Sequence, residues 1–155
     1  MPALRLDALL EDAAECDDLL AEAVSTRPRS IGLPIGKDLF ADGPYTEAFI
    51  EKYPVVRTGR FGVNSLVKPV ESGLLTIPCR GSHVSQVIDA VREAMRMPAW
   101  LILSVGEVGA TGMTAEDHAT LVSYLGRSKD VLDIGPVIEI ARRERITNPT
   151  PVHIS

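Results

Sequence analysis

The sequence is poor in the residues that usually announce a function. Of its 155 residues two are cysteine, three histidine, one tryptophan, and aromatics make up 5%. Two cysteines, Cys16 and Cys79, are too few for a disulfide framework and do not form a CxxC metal pair. Cys16, within a helical pattern, reads as a small core residue. The histidines, His83, His118 and His153, are scattered along the chain. A basic surplus is missing too: the net charge of −5 and pI near 5.2 argue against nucleic acid as a partner. The Arg142, Arg143 and Arg145 cluster reads as a solvated face near a helix C-terminus. No apolar run approaches the roughly 20 residues that span a bilayer. Met1 to Leu10, with Arg5 and Asp7 and no long apolar core, does not read as a signal peptide. These absences give the expectation of a cytoplasmic, soluble chain without a membrane partner.

What is present is a globular composition, 45% apolar and 24% charged, enough for about one domain with a real core. The most informative stretch is Pro98 to Asp117, PAWLILSVGEVGATGMTAED. Trp100 to Val105 reads as one strand buried on both faces, as in a parallel sheet. Gly106, Gly109 and Gly112 follow, and Thr114 with Asp117 has the spacing of a helix cap. The GxxGxxG spacing matches neither common phosphate-binding pattern, so a plain turn is expected.

Elsewhere strands alternate with helices. Leu6, Leu9, Leu10, Ala13, Leu20 and Val24 mark one face of a helix over Leu4 to Val24, which Arg27-Pro28 ends. Ser30 to Leu33 and Pro54 to Arg57 read as short strands flanking a helix over Tyr45 to Lys52. Phe61 to Gly73 reads as irregular, Leu74 to Ile77 as a strand. Val84, Val87, Ile88, Val91 and Met95 mark the next helix, and Thr114 to Leu125 another. A strand near Val131 to Ile134 leads to Gly135-Pro136, with Pro136 suited to the first position of a last helix. The expectation is α/β: a partial (β/α) barrel or a small parallel-sheet domain over residues 1–146, with 147–155 as a flexible tail.

The order of these segments resembles a known family. Arg27-Pro-Arg-Ser-Ile-Gly-Leu-Pro-Ile-Gly36 is similar to the "RPxSFAYPYG" strand and loop of polysaccharide deacetylases. Arg57-Thr-Gly-Arg-Phe-Gly-Val-Asn64 is similar to that family's "aRtG…N" junction, and Trp100-Leu-Ile-Leu to its late strand "WLIxxxHD". MTAEDHATLVSYL and VLDIGPVIEIA resemble its closing helix, strand and helix. The resemblance is diffuse but colinear from about residue 5 to residue 145.

The resemblance implies a distorted (β/α) barrel that hydrolyses acyl groups on sugars. There a divalent metal held by one Asp and two His polarises the carbonyl and activates water, and a second Asp is the base. Those residues belong to "TFDD" and "HxxxH" motifs, and neither occurs in this sequence. The aromatic of "PYG" corresponds to Ile35, whose backbone N–H still suits an oxyanion. The family's general-acid His corresponds to Gly106 and the next Asp to Glu107.

The implied protein is therefore the C-terminal part of a deacetylase, catalytically silent alone or dependent on a partner for its metal site. No cofactor is expected from its own residues, and no catalytic residue or metal ligand is assigned. The candidate substrate rim is Pro34, Ile35, Gly36, Arg57, Gly106 and Glu107. A carbohydrate ligand and self-association, or a complementing polypeptide, are the expected partners. Two alternatives stay open. One is a non-catalytic carbohydrate-binding or regulatory module. The other is an unrelated small α/β enzyme using Glu107, Arg57 or a Cys79–His83 pair.

Overall fold

The computed structural model describes residues 6–24, 30–33, 44–67, 73–79, 83–109 and 112–144. Along the chain the elements are α1 (Leu6–Val24), β1 (Ser30–Gly32), α2 (Pro44–Lys52), β2 (Val55–Phe61), β3 (Asn64–Ser65) and β4 (Leu74–Pro78). Then follow α3 (Val84–Ala94), β5 (Ala99–Trp100), β6 (Leu103–Ser104), α4 (Ala115–Arg127) and α5 (Val137–Arg143). Four strands form a curled parallel sheet in the order β1-β2-β4-β6, a half-barrel. The α/β class expected from alternating apolar patterns is what the chain adopts.

Register and burial assign the two faces of the sheet. On the outer face, Ile31, Leu33 and Val56 pack with Phe49 and Tyr53 of the α2 segment and with Leu9, Leu10 and Ala13 of α1. Cys79 and Leu103 meet Val87 of α3 and Leu121 of α4 on the same face. The inner face carries Val55, Leu74 and Ile102, covered by Ile140 and Ala141 of α5 and by Trp100. Period-two alternation in the strands is thus buried on both sides, as a parallel sheet requires.

Several expectations need correction. Trp100 to Val105 is not one strand. Ala99–Trp100 pairs antiparallel with β3, and Leu103–Ser104 pairs parallel with β4, with Leu101 and Ile102 between. An apolar run records burial, not pairing partner, so the change of sheet is invisible in it. Phe61 to Gly73 is accordingly not wholly irregular, since it holds β3. Val131 to Ile134 is turn and irregular chain, held by Val131 N–H and Leu132 N–H donating to the Ser128 carbonyl. Pro136 stands at the N-cap of α5, one residue before the first helical position. In α1 no residue is fully buried: Leu9, Leu10 and Ala13 are partly covered, and Leu20 and Val24 are exposed. Cys16 is exposed as well, not a core residue.

Helix α4 begins as its spacing predicts. The Thr114 hydroxyl accepts from the Asp117 backbone N–H at 3.0 Å. Arg142 and Arg143 occupy the last turn of α5, and Arg143 pairs with Asp133 at 2.9 Å on the surface. No helix among the described residues is long and apolar enough to cross a membrane. The tail 147–155 lies outside the described residues.

Candidate functional site

The C-terminal ends of the parallel strands form the rim where such folds place their chemistry. Arg57 lies on β2, on the inner face with Val55 and Leu74. Its Nη2 donates to the Leu33 carbonyl at 3.2 Å, which draws the guanidinium across β1. Gly32, paired with Arg57 in the ladder, makes room for it: a Cβ there would lie 2.5 Å from Nη2. The other terminal nitrogen, Nη1, is buried without a hydrogen-bond partner. A buried charged donor left unpaired is costly, so this atom marks a place where an acceptor belongs.

Next to β2, Thr76 of β4 is fully buried on the same inner face, and its Oγ1 also lacks a partner. A register shift in β2 sets Phe61 opposite Thr76, and the Phe61 ring ends 65% exposed. Strands β2 and β4 therefore combine a cation with a free N–H, a buried hydroxyl and an exposed aromatic. The sequence reading named Arg57 and missed Phe61 and Thr76. Phe61 was legible only as part of a junction; the register shift that sets it opposite Thr76 has no sequence signature.

Two other residues of the junction are structural. Thr58 Oγ1 donates to the Leu74 carbonyl at 2.9 Å. Buried Asn64 spends its whole amide on the backbone: Nδ2 donates to the Leu75 and Trp100 carbonyls, and Oδ1 accepts from the Leu75 N–H at 2.8 Å. It bridges β4 to β5, which belong to different sheets.

Gly106 and Glu107 lie just beyond β6, exposed, past the C-terminal end of β4, whereas Arg57 is level with the first residue of β4. Strand β4 separates the two positions, and Ser104 is level with its last residue, so roughly 20 Å of sheet lies between them. The loop that follows closes on itself. Gly109 N–H donates to the Met113 carbonyl, and Met113 N–H to the Glu107 carbonyl. Gly112 is packed so closely that a Cβ would fall 1.8 Å from the Glu107 oxygen. Those donors face inward, as a plain turn and not a phosphate cradle would have them. Pro34, Ile35 and Gly36 lie outside the described residues.

The Cys79–His83 pair is not favoured. Cys79 is fully buried against Val87, Met113 and Leu121, and burial pushes its thiol pKa up, away from a thiolate nucleophile. His83 is exposed at the N-cap of α3, and His118 is half-buried in the first turn of α4. His153 lies outside the described residues. Among the described residues no group of three His, Cys, Asp or Glu side chains is placed to hold a metal ion.

The described residues also enclose a hollow of about 480 Å3 at the opposite end of the half-barrel, lined mainly by apolar side chains including Met97, Trp100, Val131 and Ile140. Comparison of the chain with family models, with curated proteins and with solved structures finds no match.

Proposed function

We propose that this chain is a carbohydrate-recognition half-barrel of the polysaccharide deacetylase type, catalytically silent alone. The observation that carries this reading is the inner face of β2: an Arg57 donor without an acceptor, and four residues further along the same strand, roughly 13 Å away, a 65% exposed Phe61. Sugars are recognised by such pairs, because an aromatic face accepts the apolar side of a pyranose while charged and polar groups fix its hydroxyl or acyl oxygens. The colinear resemblance supports the substrate class, acylated sugars, and the half-barrel agrees in kind with part of a family barrel. Catalysis would require a partner polypeptide that completes the metal site, base and acid for which the resemblance finds no counterpart here.

The test is calorimetric titration with N-acetylglucosamine oligosaccharides, followed by an assay for released acetate with and without zinc. Saturable binding without acetate release is expected. Phe61→Ala and Arg57→Ala should each weaken binding by about tenfold or more, in line with loss of one stacked ring or one charged hydrogen bond. Absence of binding to any acylated sugar would end the carbohydrate reading. Acetate release by the chain alone would end the claim of silence.

A further inference from the structure

We propose that the open half of α1 is a docking face for a cationic amphipathic helix of another protein. Leu9, Leu10 and Ala13 lay the first half of α1 against Phe49, Tyr53 and Val56. In the second half the large apolar side chains are uncovered: Leu19, Leu20 and Val24 are 61%, 44% and 60% exposed. Cys16, Leu20 and Val24 follow one another at intervals of four, with Leu19 beside them, so they form one stripe roughly 12 Å long.

Acid borders that stripe. Glu15 stands four residues before Leu19 and Glu22 three after it, Glu11 extends their row, and Asp12 lies one turn before Cys16. These four acids are exposed, and none has an ion pair among the described residues. The helix is strained by them: Glu11 and Glu15 repel across one turn, and Glu22 occupies a last turn where the helix dipole favours a base. A cation laid along the row removes both penalties.

Charge selects the occupant. α1 carries seven acidic residues and no basic one, so α1 of a second copy is repelled, as are nucleic acid and anionic lipid. Elsewhere on a second copy Arg92, Arg96 and Arg143 are already matched to Asp89, Glu93 and Asp133. A foreign helix with leucine-like residues on one face and Lys or Arg along its edge satisfies both parts of the surface. Its apolar face covers Leu19, Leu20 and Val24 while its cations meet Glu11, Glu15 and Glu22. This face belongs to α1 alone and stands whether or not the sheet binds sugar.

The test is fluorescence anisotropy of a labelled Leu/Lys peptide of about 14 residues with helical period, long enough to cover the stripe, titrated with the full chain. A scrambled peptide of the same composition is the control, and the variants are Leu20→Ser and the double variant Glu15→Gln with Glu22→Gln. All three positions are exposed, so circular dichroism should show unchanged helix content. The expected result is saturable binding that weakens as salt is added, and that is about tenfold weaker or more for the scrambled peptide and for each variant. Equal binding of the scrambled peptide, or a loss with the glutamines only, would reduce the effect to bulk charge attraction and overturn the proposal. A wild-type dimer in light scattering that Leu20→Ser dissolves would overturn it in favour of a second copy. Absence of peptide binding by a wild-type monomer would overturn it too. Sugar titration of the same variants keeps this claim apart from the carbohydrate reading, because none of the substituted residues lies in the sheet.

Discussion

Asn64 is the residue on which the architecture turns. Its amide makes three hydrogen bonds to backbone groups of β4 and β5, one a donor and two acceptors. Asn64→Leu would strand all three in the interior, and each buried unpaired group costs on the order of 1–3 kcal/mol. Partial relaxation considered, a loss of about 3 kcal/mol is expected, read as a lower urea midpoint at unchanged slope. An unchanged midpoint would show that water replaces the amide without cost. Tyr53 makes a second prediction. Its hydroxyl donates to Asp17 at 2.6 Å, and burial, then the bond and charge of Asp17, push its pKa above the usual 10. Above pH 10 the unfolded chain therefore loses a proton that the native chain keeps, so stability present at neutral pH declines as pH rises past 10. Burial of the Cys79 thiol acts in the same direction, from about pH 9. Tyr53→Phe should flatten the alkaline decline between pH 9.5 and 11 in denaturation curves; an equally steep decline would mean that Tyr53 is not its source.

At the scale of elements, legibility followed the length of the pattern. Helices α3 and α4 span three or more turns, so Val84, Val87, Ile88 and Val91, or the Thr114 cap, declared their starts to within one residue, while α4 runs two residues past its expected end at Leu125. Thr114→Ala should cost about 1 kcal/mol of stability, measured by thermal unfolding; no change would show that the cap bond is not held in solution. Two-residue strands carry too little pattern to read. For β3, β5 and β6 pairing was decided by tertiary contacts such as the Asn64 bridge, and residues 131–134 lost their expected strand because no neighbour pairs with them. Of the rim, Arg57 was legible from its place after a strand. Phe61 and Thr76 were not, because a bulge and a ladder register bring them together. In α1 the surplus of acid was plain, but not that the second half would lie open. Glu11 and Glu15 are four apart and exposed there, a destabilising pairing. Glu15→Lys should reverse it and raise stability by a few tenths of a kcal/mol at low salt, with the gain fading as salt is added. A gain insensitive to salt would point away from electrostatics.

At the scale of the molecule, the half-barrel has two ends with different equipment. One end offers a cation, a hydroxyl and an aromatic ring; the other offers a hollow and methionines. The segment Trp100 to Ser104 reaches from one to the other, walling the hollow at its start and closing the sheet at the rim. The acidic helix has a different consequence. Seven of the 21 acidic residues and none of the 16 basic ones lie in α1, so the remainder of the chain carries a slight positive surplus. The protein is thus an electric dipole more than a uniform anion. In the field of a highly charged surface it experiences a torque before any contact, turning α1 away from anionic polymers and towards cationic ones, over a range set by the ionic strength.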